Sequence, residues 1–122
     1  SSDLLTDVLS LTTSCELTNA GGSTGLTGTG GLGRKKLASG HAQYTLFDGD
    51  SYTEGAHKVY LKNMSTTASE YFAIDINGER MGKLYAGDFA FFPWDANAAT
   101  NDIKIDPSAA DMTLEYMLFI DE

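Results

Sequence analysis

Two histidines, His41 and His57, the lone Cys15 and the 17 carboxylates are the groups of this 122-residue chain with chemistry to offer. A hydrolytic or metal site needs such groups converging on one pocket. The spacing does not bring them together. No His-x-His or His-x-x-x-His pair occurs, both histidines stand at strand or loop starts, and the acids fall on turns and outward strand faces. No Gly-x-Ser-x-Gly, Cys-x-x-Cys or His-Glu-x-x-His motif is present. Cys15, set among Thr, Ser and Leu, reads as a small buried apolar side chain. Alone, it can form neither an intrachain disulfide nor a cysteine metal knuckle. The chain is therefore not expected to be an enzyme, and no catalytic residue, cofactor or metal is expected.

Four further features imitate chemistry. Gly28-Thr29-Gly30-Gly31-Leu32-Gly33 matches the dinucleotide pattern G-x-G-x-x-G. That pattern works only between a buried strand and a helix whose N-terminus holds pyrophosphate. Here a Gly- and Thr-rich stretch precedes it and Arg34-Lys35-Lys36-Leu37-Ala38-Ser39-Gly40 follows, too short for the helix. Asp48-Gly49-Asp50 could open a calcium loop, but Tyr52 and Thr53 stand where an oxygen ligand and a glycine belong. An Asx turn is the expectation. Asn63-Met64-Ser65 is formally a glycosylation acceptor. Asn63 is read instead as ending a strand and bonding backbone in the turn after it. The basic cluster Arg34-Lys35-Lys36 is read as a solvated loop end or an ion-pair partner for an acidic neighbour.

Aromatic residues offer the remaining surface chemistry. Phe89, Phe91, Phe92 and Trp94 put rings on both faces of one strand. Core packing accounts for most of them, and Phe92 and Trp94 are the expected partner-facing pair.

The elements that position these residues are strands. Asn77-Gly78 separates the alternating runs EYFAIDI and ERMGKLY, the strongest short-range hairpin signal, because both turn residues need positive φ. Phe72, Ile74 and Ile76 take one face, with Tyr71, Ala73 and Asp75 on the other. A turn at Ala86-Gly87 leads to a third strand of this meander, which Pro93 is expected to stop. Further strands are expected over 41–47, with Tyr44 and Leu46 on one side, and over 58–63, with Val59 and Leu61 inward. Another covers 101–106, with Ile103 and Ile105 inward. The last, 112–120, is apolar on both faces and therefore central or covered by a neighbour. Asp121 and Glu122 are expected in water.

The N-terminal stretch admits two readings. Leu4, Leu5, Val8 and Leu9 fit a short helix capped by Ser2 or Asp3, whereas Leu9, Leu11, Thr13, Cys15 and Leu17 alternate as an extended chain. The extended arm is preferred, with Leu4, Leu5, Val8 and Leu9 as its interaction residues. Residues 19–40 are so rich in glycine that an irregular loop is expected. One domain follows: an arm and Gly-rich loop over 1–40, and a sandwich core over 41–122.

Composition sets the outer bounds. Hydrophobic residues at 42% and charged residues at 20% fit an ordinary globular domain. The formal charge of −9 repels phosphate backbones and anionic lipid, so neither nucleic acid nor membrane is an expected partner. The opening SSDLLTDVLSLT lacks a basic n-region, so no secretory leader is expected, and synthesis in a cytosol is.

The succession Val59-Tyr60-Leu61-Lys62-Asn63, the hairpin 71–84, Leu84-Tyr85-Ala86-Gly87-Asp88-Phe89-Ala90-Phe91-Phe92-Pro93, Ile103-Lys104-Ile105 and Leu114-Glu115-Tyr116-Met117-Leu118 resembles the small β-sandwich virion proteins of tailed bacteriophages. Capsid cement, or decoration, proteins are among them. The resemblance spans 58–122 and contains no catalytic residues. It implies an all-β, antiparallel, jelly-roll-like sandwich, present in repeated copies as a symmetric homotrimer. It also implies a capsid-surface location, with the major capsid protein as partner across subunit junctions. A tail or head-to-tail connector component is the alternative within that family. A carbohydrate- or ligand-binding sandwich module using Phe92, Trp94 and nearby acids is the alternative outside it.

Overall fold

The computed structural model describes residues 10, 12–14, 16, 17, 26, 28–38, 43–96 and 100–121. The expectations for Leu4, Leu5, Val8, Leu9, Cys15 and His41 lie outside them. Among the described residues nine strands form: β1 Gly28–Thr29, β2 Gly33–Leu37, β3 Tyr44–Phe47, β4 His57–Asn63, β5 Tyr71–Ile76, β6 Glu79–Tyr85, β7 Phe89–Trp94, β8 Ile103–Pro107 and β9 Met112–Ile120. All pairings are antiparallel. Sheet A runs β2-β9-β4-β7, with β1 also on β9, and sheet B runs β3-β8-β5-β6. The two sheets pack face to face.

The pairing nests around one turn. Asn77 and Gly78 hold φ of 54° and 77°, the left-handed pair a tight hairpin requires, and close β5 onto β6. Outward from that end, β4 pairs with β7, β3 with β8 and β2 with β9. Successive pairs fall in alternate sheets. Strands β2 to β9 thus pair two by two about Asn77-Gly78 and are shared between the two layers.

Strand alternation fills the space between the layers. Val59, Leu61, Leu114, Met112, Leu118 and Leu37 of sheet A meet Phe72, Ile74, Leu84, Ile103 and Ile105 of sheet B, all buried. Central β9 is flanked on both sides, as its two apolar faces lead one to expect. Buried polar groups tie the layers together. Asn63, fully buried, donates from Nδ2 to the carbonyls of Leu84 (2.9 Å) and Glu70 (3.3 Å). Its Oδ1 accepts the Ser65 N–H at 2.9 Å, the strand-ending role expected of it. Trp94 donates from Nε1 to the Asn101 carbonyl, 2.9 Å away.

Four expectations are corrected. First, the Gly-rich stretch is not irregular throughout: Gly33–Leu37 is a five-residue strand against β9. Gly33 lies under the Tyr116 ring, where a Cβ would come within 2.8 Å of the ring carbon Cζ, so a side chain there would displace the ring. Second, Pro93 does not stop β7. It pairs with Lys58 inside the strand, which an edge strand tolerates because its outer side needs no donor. Third, β7 is not the third strand of a meander: the turn at Gly87 (φ 83°) carries the chain from sheet B to sheet A. Fourth, Asp75, Glu115 and Asp121 are buried rather than solvated. Asp121 is held because its carbonyl accepts the Ala56 N–H and its N–H donates to His57 Nδ1, both at 3.0 Å. In the N-terminal stretch, Ser10, Thr12, Thr13, Ser14 and Glu16 are exposed and lie in no strand.

Candidate functional site

The histidine that could have been catalytic is structural. His57 is fully buried, and both ring nitrogens are engaged: Nε2 with the Thr53 carbonyl at 2.8 Å, Nδ1 with the Asp121 N–H at 3.0 Å. These partners fix the tautomer, with Nε2 the donor and Nδ1 the acceptor. His57 is among the residues around an open cleft of about 470 Å³, with Glu54, Trp94 and Asp95. Its nitrogens point into the fold, so they offer neither a base nor a metal ligand there. Among the described residues, no group of three or more His, Cys, Asp or Glu is placed to hold a metal ion. No helix among them is long and apolar enough to cross a membrane. At Asp48, the side chain accepts the Asp50 N–H at 3.0 Å, the expected Asx turn. Gly28-Thr29 pairs with Ile120 and Phe119, so the dinucleotide-like motif is backbone laid along β9.

The outer face of sheet A is the feature that stands out. Register places Phe89, Phe91 and Pro93 of β7 beside Lys62, Tyr60 and Lys58 of β4. These in turn lie beside Glu115, Met117 and Phe119 of β9. Arg34 and Lys36 of β2 complete the row against Glu115 and Thr113. Phe89 is 63% exposed and Phe91 44%. Phe91 meets Phe119 edge-on, with centroids 5.8 Å apart. Large exposed apolar side chains in one contiguous patch mark a contact surface.

Glu115 sits within this face as its polar anchor. Tyr60 donates its hydroxyl to Oε1 at 2.8 Å, and Arg34 Nε and Nη2 both lie 2.9 Å from Oε2. The Tyr60 hydrogen bond, reinforced by Arg34, holds the Glu115 carboxyl below the ordinary carboxylate range. Burial, together with the same hydrogen bond, pushes the Tyr60 phenol above its ordinary value. The ring of Tyr60 is thereby locked against the sheet between Lys58 and Lys62. Arg34 has the ion-pair role expected for the basic cluster. Lys35 turns to the other side and lies over the Tyr44 ring, 5.3 Å from its centroid.

The expected partner-facing aromatics are placed differently. Trp94 is 3% exposed and packed among Phe47, Tyr52 and His57, edge-on to Tyr52 and tilted to the other two. Phe92 is half-buried against the core. Both oppose inward residues, His57 and Val59. The exposed rings are Phe89 and Phe91, one residue out of phase. The β7 sequence alone left this parity open, because it has rings on both faces. Its pairing with β4 decides it: His57, Val59 and Leu61 are inward, so their partners are too. Arg34, Tyr60, Glu115, Met117 and Phe119 were also missed as members of one surface, since they come from three distant segments.

No known family model matches this chain, and no curated protein matches it.

Proposed function

We propose that the protein is a structural component of a tailed-phage virion. In this reading it is a capsid cement protein, which stabilises the shell by binding across subunit junctions through the outer face of sheet A. The observation that carries the reading is the apolar strip of exposed Phe89 and Phe91 beside half-buried Met117 and Phe119, rimmed by cations on an otherwise acidic chain. Buried aromatic anchors inside a polar rim are how protein interfaces gain their energy. The nested pairing of β2 with β9, β3 with β8, β4 with β7 and β5 with β6 supports the jelly-roll-like assignment. Jelly rolls serve viral capsid proteins and lectins alike. Between these uses, the burial of Trp94 removes the ring a sugar would stack on and favours the protein-docking reading. Stabilisation is then mass action: a protein that binds only the assembled shell lowers that state's free energy. The major capsid protein is the partner, and a homotrimer is the working oligomer.

The test is copy number in purified particles, by quantitative mass spectrometry against the major capsid protein. A ratio comparable with the capsid subunit supports the cement role. A few copies per particle would move the protein to the tail or connector. Absence from particles would overturn the virion reading and return the glycan-binding module to first place.

A further inference from the structure

We propose that Asn77-Gly78 is a latent self-modification site, held inert by the folded hairpin and converted to a succinimide, then to isoaspartate, when β5 and β6 separate. The inference is independent of the docking surface, because this turn belongs to sheet B.

The chemistry is that of an asparagine followed by glycine. The Gly78 backbone nitrogen attacks Cγ of Asn77. An N–Cγ bond forms, the Cγ–Nδ2 bond breaks, and ammonia leaves with the proton of the Gly78 N–H. Water then opens the ring. Opening at Cγ gives aspartate; opening at the main-chain carbonyl gives isoaspartate, whose backbone runs through the side-chain methylene. Glycine has no Cβ to shield the attacking nitrogen. Both residues are exposed, so burial gives the Asn77 amide no protection.

Conformation protects it instead. The φ values of 54° and 77°, in a two-residue loop between the paired Ile76 and Glu79, make this a type I′ turn. In such a turn ψ of the first residue is about 30°, which sets the Gly78 nitrogen about 150° away from Cβ of Asn77 around the Cα–C bond. The five-membered ring needs the two eclipsed. The Asn77 N–H is also tied to the Asp102 carbonyl at 3.2 Å. Rotating ψ far enough to close the ring takes Gly78 out of the turn and breaks the Ile76–Glu79 pair. The site is therefore inert when folded and reactive when open. Isoaspartate lengthens the loop by one backbone atom, so a marked chain cannot restore the two-residue turn or the register set from it. Chains that stay open are removed one way, by chemical modification of the unfolded state.

The experiment follows deamidation of the full-length protein at mildly alkaline pH by peptide mass spectrometry, in buffer and in urea up to full unfolding. The peptide containing Asn77 should gain the mass of amide-to-acid conversion at least about 30-fold more slowly in buffer than unfolded, because hairpin opening is rare in the native state. Through the transition, the rate should follow the unfolded fraction read by circular dichroism. After urea is removed, isoaspartate, told from aspartate by enzymatic methylation, should be depleted at least about tenfold in the refolded fraction. Aspartate at 77, which suits the turn, should not be depleted. Equal rates for folded and unfolded protein would overturn the proposal, as would an unfolded chain that keeps its amide. Isoaspartate shared evenly between refolded and non-native material would overturn it too.

Discussion

The outer faces of the two sheets are built from similar strands and reach opposite ends. On sheet B, Asp75 is nearly buried and accepts Arg80 Nε at 2.5 Å, while Arg80 Nη2 lies 3.7 Å from Asp106. Asp75 thereby raises the hold of the Arg80 guanidinium on its proton. Lys83 covers the Tyr71 ring at 4.5 Å, and Ala73 is buried beneath these side chains. That face is partly covered by its own charges, with Met81 and Tyr85 left exposed on its edge strand β6. On sheet A the one internal cluster, Glu115 with Tyr60 and Arg34, occupies the β2 side, and the β7 side is left as uncovered rings. A sheet face can be finished by its own long side chains or by a neighbour, and here the two solutions sit back to back.

The comparison can be broken in graded ways. A change beneath both faces should have the largest effect. Phe72→Ala, in the fully buried core, should lose about 3–5 kcal/mol in chemical denaturation, and a loss under about 1 kcal/mol would mean the layers do not share one core. Next comes the docking strip: Phe89→Ser with Phe91→Ser should weaken particle docking by at least about 30-fold. Because both rings are exposed, the same pair should shift stability by no more than about 0.5 kcal/mol per site. Substituting Tyr85→Ser and Met81→Ser on sheet B should leave docking unchanged; an equal loss there would erase the distinction between the faces.

Asn63→Leu should cost about 1–3 kcal/mol, because the Leu84 carbonyl and the Ser65 N–H lose their partner inside the fold. Urea unfolding that matches wild type would show that the layers are joined by apolar packing alone. The smallest effect is with pH. Glu115 has a lowered pKa, so its contribution is present above the ordinary carboxylate range and is lost as pH falls through the lowered value. Tyr60 is raised, so its contribution holds below its ordinary value of 10.0 and fades as pH climbs toward the raised one. Melting temperature against pH should therefore decline at both ends. Glu115→Gln should flatten the acid side, and superimposable profiles would show that the cluster adds nothing.

What the sequence made legible follows from local physics. Asn77-Gly78 announces its turn because few residue pairs accept two positive φ values in succession. Val59 and Leu61, Ile103 and Ile105, and the run 112–120 announce their strands through alternation. Gly33–Leu37 stayed hidden because its partner is some 80 residues away and Leu37 is its one buried apolar side chain. The acids Asp75, Glu115 and Asp121 were unreadable for a related reason. Glu115 and Asp121 are buried by partners remote in sequence, Arg34 and Tyr60 on flanking strands and His57 on β4, while Asp75 is covered by Arg80 only five residues on, through a bulge that alternation does not announce. The site shares this difficulty. Its members come from β2, β4, β7 and β9, and only the pairing of these strands in sheet A brings them side by side.

Hydroxyl-radical footprinting of the protein, free and in purified particles, compares the two faces most directly. Protection on assembly should fall on Phe89, Phe91, Met117 and Phe119, with Met81 and Tyr85 as reactive as in the free protein. Protection of Met81 and Tyr85 instead, or of neither set, would contradict the assignment of the outer face of sheet A as the docking surface.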